Sequence, residues 1–108
     1  MVVETVRNYA VTEETAIEKI IQNEYVHINH VALGKGGALP IHEANSHAHL
    51  IVVRGAVTLA LNDQEPHEYL SGRIVSVPYG TRMNVSNQGD TVLSFFIVKA
   101  PGPGYFTK

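Results

Sequence analysis

The chain has 108 residues, of which 44% are hydrophobic and 17% are charged, and its formal net charge is −2. This composition is that of a compact protein, and the length suits one domain over residues 1–108. Clustered lysine and arginine, which nucleic-acid binding requires, do not occur, so we expect no nucleic-acid partner. The chain contains no cysteine, which excludes disulfides and thiolate metal sites.

The first ten residues are mixed and polar, without the apolar run of a signal peptide. The strongly apolar stretches elsewhere fall far short of the ~20 residues that a membrane-spanning helix needs. We therefore expect no membrane partner and a cytoplasmic location.

Short strand patterns separated by turn signals follow one another from about residue 16 onward. The first of them overlaps a helical candidate over Thr12–Ile20, but its isoleucines show no helical period, and we favour a strand. Strands at a spacing of roughly 8–12 residues are typical of an all-β sandwich or barrel. The predicted strands are Ala16–Gln22, Tyr25–Leu33, Leu50–Val53, Ala56–Leu61, Ile74–Val77 and Val92–Val98. The Pro- and Gly-rich tail over 101–104 cannot continue a strand and closes the domain.

Two patterns of glycine and polar residues cover residues 36–87. The first consists of Gly36, five residues, His42-Glu43-Ala44, three residues, Ala48, six residues and Gly55. The second consists of Gly72, five residues, Pro78-Tyr79-Gly80, two residues, Met83, three residues and Asn87. Three residues of the second pattern have clear physical roles: Pro78 ends a strand, Gly80 permits a turn closed to other residues, and Asn87 suits a tight turn.

These patterns resemble the two sequence motifs of the cupin family, and four of the five fixed positions of the second motif match. The strand over 95–101 also resembles the closing strand of small stand-alone bacterial cupins. The resemblance implies an all-β fold, the RmlC-like double-stranded β-helix or jelly-roll barrel, with a pocket between its two sheets. It also implies a homodimer, commonly formed by extension of a sheet.

In metal-binding cupins, two histidines and a glutamate of the first motif converge with a histidine of the second on a divalent metal. The corresponding positions here are His42, Ala44, Ala48 and Met83, of which only His42 is a usual ligand. The resemblance therefore implies that the usual metal site is largely lost. It places Ala44, Ala48, Leu50 and Met83 in an enlarged apolar pocket, with His42 as a polar contact.

His47 and His49 leave the same face of a strand, with their Cα atoms about 6–7 Å apart. The motif register points Ala48 inward and sends both histidines to the surface or to a dimer interface. A single β-bulge between Glu43 and His47 would instead turn both inward. They could then join His42 around one divalent ion, such as Zn, Cu, Ni or Fe.

Three further histidines give weaker signals. His27 and His30 are three residues apart on one strand, so their rings point to opposite faces, although His30 could face the pocket from its strand. His67 follows Pro66 and is expected in a solvated turn.

Two functions of different classes fit these residues. The first is a protein that holds a small, partly apolar molecule in the barrel, with one polar contact from His42. The second is a metal-dependent enzyme, such as a dioxygenase or isomerase, with ligands His42, His47 and His49. A third, a regulatory partner that acts through its dimer surface, remains open. The sequence shows no nucleophile elbow, phosphate-binding loop or dinucleotide fingerprint.

Overall fold

In a computed structural model, which describes residues 2–107, nine strands are followed by one short 3₁₀ helix, Pro103–Thr107. The strands are β1 (Ala16–Gln22), β2 (His27–Leu33), β3 (His42–Glu43), β4 (Ala48–Arg54), β5 (Ala56–Leu61), β6 (His67–Leu70), β7 (Ile74–Val77), β8 (Arg82–Ser86) and β9 (Leu93–Lys99).

The strands form two antiparallel sheets that face each other. The first sheet has five strands in the order β1-β2-β9-β4-β7, and the second has four in the order β3-β8-β5-β6. From β4 onward the chain crosses to the other sheet after β4, β6, β7 and β8, while β5 and β6 form a hairpin within the second sheet. This is the double-stranded β-helix, and it confirms the predicted all-β jelly-roll fold.

The core lies between the sheets because apolar residues occupy alternate strand positions. On β4, Ala48, Leu50 and Val52 are buried, while the intervening side chains face away from the core. Leu59 and Val85 contribute from the opposite sheet. Each fully buried aliphatic side chain of this kind stabilises the fold by about 1.5–3 kcal/mol. The alternation therefore determines which face of every strand looks into the barrel.

Most of the predicted strands are present with small changes at their ends. The segment that could also have formed a helix is the strand β1, as favoured from the sequence. Three strands were not predicted, namely β3, β6 and β8, because each is short and carries mostly polar residues. The expectation for His67 was therefore wrong in one respect: it is exposed, but it begins β6 instead of lying in a turn.

The four glycines of the two patterns all have positive φ angles, between 73° and 91°. Gly55 shows the requirement most clearly, since a Cβ atom there would lie 2.4 Å from the carbonyl oxygen of Val92. Another residue would meet both a disfavoured backbone conformation and a backbone clash. Gly55 therefore permits the tight passage from β4 to β5.

Asn87 joins three segments of backbone from a buried position. Its Nδ2 donates hydrogen bonds to the carbonyl oxygens of Leu33 at 2.9 Å, Gly34 at 3.2 Å and Thr91 at 2.9 Å. Its Oδ1 accepts a hydrogen bond from the Gly89 amide at 3.0 Å. The expected local turn contact is present, and the side chain also ties the end of β2 to the loop before β9.

Candidate functional site

A pocket of about 160 Å³ lies between the two sheets. Strands β1, β2, β4 and β9 supply one wall, and β3, β8 and adjacent loops supply the other. Its lining residues are Ile17, Asn29, Val31, Leu39, His42, Ala44, Asn45, Ala48, Met83, Val85, Ile97 and Lys99.

The deep walls of the pocket are apolar and its mouth is mixed. Six lining residues are buried, namely Val31, Ala44, Ala48, Met83, Val85 and Ile97. At the mouth, Ile17, His42 and Asn45 are exposed. A cavity of about 150 Å³ with aliphatic and aromatic walls is large enough to hold benzene. The pocket therefore has the size for one small ring or a short branched chain.

Four of the five predicted pocket residues line this pocket: His42, Ala44, Ala48 and Met83. His42 and Met83 are direct partners in the register of β3 and β8. Leu50 does not line the pocket; it is completely buried in the hydrophobic core, two residues further along β4 than Ala48. The spacing of the first motif correctly predicted that Leu50 faces inward. At its position, however, core side chains fill the space between the sheets, and the pocket has ended.

His42 is the imidazole at the pocket mouth. Its Nδ1 lies 2.9 Å from the carbonyl oxygen of Pro40, so Nδ1–H donates this hydrogen bond. In the neutral ring, Nε2 is then an acceptor. His42 can therefore accept a hydrogen bond from a bound molecule.

His47 and His49 face away from the pocket. Ala48, which lies between them, is buried and lines the pocket, and the pairing of β4 is regular from Ala48 to Val52, so His47 and His49 lie on the opposite face. His47 Nδ1 accepts a hydrogen bond from the Tyr79 amide at 3.1 Å, and His49 Nδ1 lies 2.8 Å from Ser76 Oγ. This orientation is the one that the spacing of the first motif predicts for both histidines.

The structure therefore does not bring His42, His47 and His49 together. Within residues 2–107, histidine, aspartate and glutamate form no group of three or more that could hold a metal ion. The four positions equivalent to the metal ligands of cupins supply one imidazole, two methyl groups and the thioether of Met83. This donor set does not fit the iron, manganese or nickel sites of metal-binding cupins.

Three polar residues that line the pocket were missed from the sequence: Asn29 on β2, Asn45 in the loop after β3, and Lys99 at the end of β9. The Oδ1 atom of Asn29 is buried and has no hydrogen-bond partner among the described residues. Burial lowers the pKa of Lys99, and the nearby charge of Lys19 lowers it further. Strand alternation contained the signal, since Lys99 has the same parity as the inward-facing Phe95 and Ile97.

His30 lies outside the pocket, on the opposite face of the same sheet, and it is completely buried. The possibility that it faces the pocket is therefore wrong. Its Nδ1 lies 2.8 Å from Glu18 Oε1 and its Nε2 lies 2.7 Å from Ser94 Oγ. Glu18 also accepts a hydrogen bond from the Ala10 amide at 2.9 Å, and the ring of Tyr9 covers His30 at 4.7 Å between centroids.

This network holds the N-terminal segment against the sheet. The amide of Ala10 and then His30 lower the pKa of Glu18, more than desolvation raises it. The order of carboxylate, imidazole and hydroxyl is that of a catalytic triad. The imidazole is sealed beneath Tyr9, however, and we assign the network to anchoring of the segment.

The comparisons with known proteins agree with this architecture. No family model matches the sequence. The uncharacterized protein MJ0764 of Methanocaldococcus jannaschii is 47% identical over 87 residues, which cover 81% of this chain and 75% of that protein. Its crystal structure, described as an RmlC-like cupin with a double-stranded β-helix fold, superposes over the whole of both chains with a TM-score of 0.96 and 39% identity.

More distant structures share the fold alone. A cupin superfamily protein from Desulfitobacterium hafniense has a TM-score of 0.73 at 13% identity, over 86% of this chain and 83% of that one. The polyketide cyclase RemF from Streptomyces resistomycificus has a TM-score of 0.71 at 21% identity, over 81% of this chain and 65% of that one. Among residues 2–107, no helix is long and apolar enough to cross a membrane. The two motifs, the paired sheets and the full-length match together show that this chain belongs to the RmlC-like cupin family.

Proposed function

We propose that this cupin binds a small, largely apolar molecule in the pocket between its sheets. The observation that carries the proposal is the pocket itself, about 160 Å³ with buried apolar walls. Three of its wall residues, Ala44, Ala48 and Met83, occupy positions at which metal-binding cupins place ligands. The space that a metal and its ligands would occupy is thus available to an apolar molecule.

The side chains favour binding over metal chemistry. Apolar walls with a few polar groups at fixed positions are typical of small-molecule sites. His42 Nε2 and Asn45 at the mouth, and Asn29 within the pocket, can orient a ligand through hydrogen bonds. The same residues argue against a metal-dependent enzyme with ligands His42, His47 and His49, because His47 and His49 point away from His42.

A binding experiment with a neutral apolar probe tests this proposal. Benzyl alcohol has a ring of the right size, and a ligand of about eight heavy atoms is expected to bind with a dissociation constant of roughly 0.1–1 mM. Saturation-transfer difference NMR and calorimetry detect binding in this range. The wild-type protein should bind the probe with about one site per chain.

Matched substitutions locate the binding site. A48M places a larger side chain in the pocket and should abolish binding. A60M makes the same substitution on the outer face of β5, where Ala60 is only half-buried, and should leave binding unchanged. Circular dichroism checks that both variants are folded. Equal binding by A48M and wild type, or no binding of the probe to the folded wild type, would refute the proposal.

We also propose that the protein is a homodimer in which the N-terminal segment contacts a second copy. Four valines in this segment, Val2, Val3, Val6 and Val11, are 76–92% exposed. Exposed apolar side chains concentrated in one segment of a chain favour contact with another protein surface. Light scattering after size exclusion should give twice the mass of the chain, and V3D/V6D should give the mass of one chain. A monomeric wild-type protein at micromolar concentration would contradict this proposal.

A further inference from the structure

The pocket lining carries a positive charge and no carboxylate. Lys99 is the one charged residue among the lining residues, and aspartate and glutamate are absent from them. None of the ion pairs among residues 2–107 involves Lys99, and no hydrogen bond joins its ammonium group to another described side chain. A half-buried cation therefore faces an apolar pocket without a counter-charge.

The neighbouring strands increase this positive charge. Lys99 lies between His27 of β2 and Ala48 of β4 in the sheet register. Lys19 of β1 pairs with Asn29 of β2, which places it on the pocket side of the sheet near the rim. Lys19 is close enough to Lys99 to lower its pKa, as burial also does. The cation that lines the pocket therefore has a second cation near it, outside the lining, and an anion bound to Lys99 would offset both the repulsion and the desolvation.

Asn29 adds a second unused group to the pocket lining. Its buried Oδ1 accepts no hydrogen bond from a described residue, and its strand position is between Lys19 on β1 and Ile97 on β9. A buried polar atom without a partner is costly, so a ligand that donates a hydrogen bond here would be favoured. The side-chain amide of Asn29 can also donate to an anionic oxygen.

We propose that the ligand is a small monocarboxylate whose apolar body, about the size of a benzene ring, packs against Ala44, Ala48 and Met83 while its carboxylate binds the ammonium group of Lys99. This inference rests on the proposed function and names the chemical class of the ligand. Lys19 at the rim attracts the anion, while Asn29 donates from Nδ2 to a carboxylate oxygen or accepts at Oδ1 from a hydroxyl group beside the carboxylate. Phosphate is excluded as the main recognised group, because the pocket offers one lining cation and mostly apolar surface.

Three probes of the same shape and different charge test this proposal. Benzoate is the anion, benzamide is the neutral isostere and benzylamine is the cation. Calorimetry at neutral pH and low salt should show that benzoate binds at least about 10-fold more tightly than benzamide, since a charge-assisted hydrogen bond in a partly buried site is stronger than a neutral one. Benzylamine should not bind, because its ammonium group would face Lys99 and Lys19.

Substitutions assign the preference to Lys99. K99M should bind benzoate no more tightly than benzamide, with benzamide itself within about threefold of its wild-type affinity. K99R keeps the charge and should retain the preference for benzoate. K35M, in the exposed loop after β2, changes the net charge equally and should bind as wild type does. K99M is expected to fold, because it removes a cation that is partly desolvated, and circular dichroism checks this.

The outcomes separate this inference from the proposed function. Benzamide bound as tightly as benzoate, or a K99M variant that keeps the preference for benzoate, would overturn the carboxylate assignment while leaving an apolar-molecule pocket. Binding of neither benzoate, benzamide nor benzyl alcohol to the folded protein would overturn both.

Discussion

Replacing Asn87 by alanine tests how the second cupin motif holds the two ends of the barrel together. The two hydrogens of Nδ2 are shared among the carbonyl oxygens of Leu33, Gly34 and Thr91, and Oδ1 accepts one further hydrogen bond. N87A thus removes the equivalent of three hydrogen bonds at a buried site. At about 1 kcal/mol each, we expect a loss of about 3 kcal/mol in the free energy of unfolding.

This loss is measurable because a domain of this size is stable by about 5–15 kcal/mol, so N87A should remain folded. Urea denaturation followed by far-UV circular dichroism should give a midpoint lower by about 1.5–2 M, for an m value of about 1.5–2 kcal/mol per M. Q88A is the matched control. Gln88 is exposed, and among the described residues its side chain bonds only Ser86, so its substitution should change stability by no more than about 0.5 kcal/mol.

A third variant separates the donor from the acceptor. N87D keeps the oxygen that accepts from the Gly89 amide, but at neutral pH it places a second oxygen against three carbonyl oxygens. N87D should therefore be at least as unstable as N87A. A loss below about 1 kcal/mol in N87A, or a stability of N87D close to that of wild type, would refute the reasoning.

Two further predictions concern the glycine turns and the N-terminal anchor. G55A should lower the free energy of unfolding by more than about 3 kcal/mol or prevent folding, because it combines a positive φ with a backbone clash. G72A has a positive φ but open space around its Cβ, so it should lower the free energy of unfolding by about 1–2 kcal/mol. Equal losses in urea denaturation would contradict this. The pKa of Glu18 is lower in the folded protein than its ordinary value. The ionised carboxylate therefore stabilises the fold at pH values above the ordinary pKa, and this stabilisation is lost as the pH falls through the lowered pKa. Wild type should thus exceed E18Q in urea midpoint at neutral pH and lose this advantage in acid; a constant difference from pH 7 to pH 3 would argue against it.

Much of the scaffold could be predicted from local patterns. Gly80 was predicted to permit a turn closed to other residues, and it has a positive φ angle, as do Gly36, Gly55 and Gly72 of the same two patterns. The strands β1, β5 and β7 have the bounds expected from β-branched and alternating residues. Such features depend on a residue and its near neighbours, because backbone conformation and strand alternation are set over a few residues. The short, mostly exposed strands β3 and β6 lacked this signal and depend on pairing with other strands. In β8, Met83 and Val85 alternate with polar residues, but this five-residue pattern was not recognised.

The direction of the side chains around the site could not be predicted from local patterns alone. The motif alignment identified His42, Ala44, Ala48 and Met83 as neighbours, and they line one pocket. It left two orientations open for His47 and His49, because one inserted residue reverses every side chain on a strand. Only the folded protein, in which Ala48 and Leu50 are buried between the sheets, decides that both point outward.

The sequence by itself determined the family, the fold and the loss of the usual metal ligands, because these depend on residue types at characteristic spacings. Only the tertiary structure decided which groups share the pocket. Asn29 and Lys99 are 70 positions apart in the numbering, and the antiparallel pairing of β2 with β9 brings them to one end of it. The same pairing of distant strands buries His30 between Glu18 and Ser94, outside the pocket.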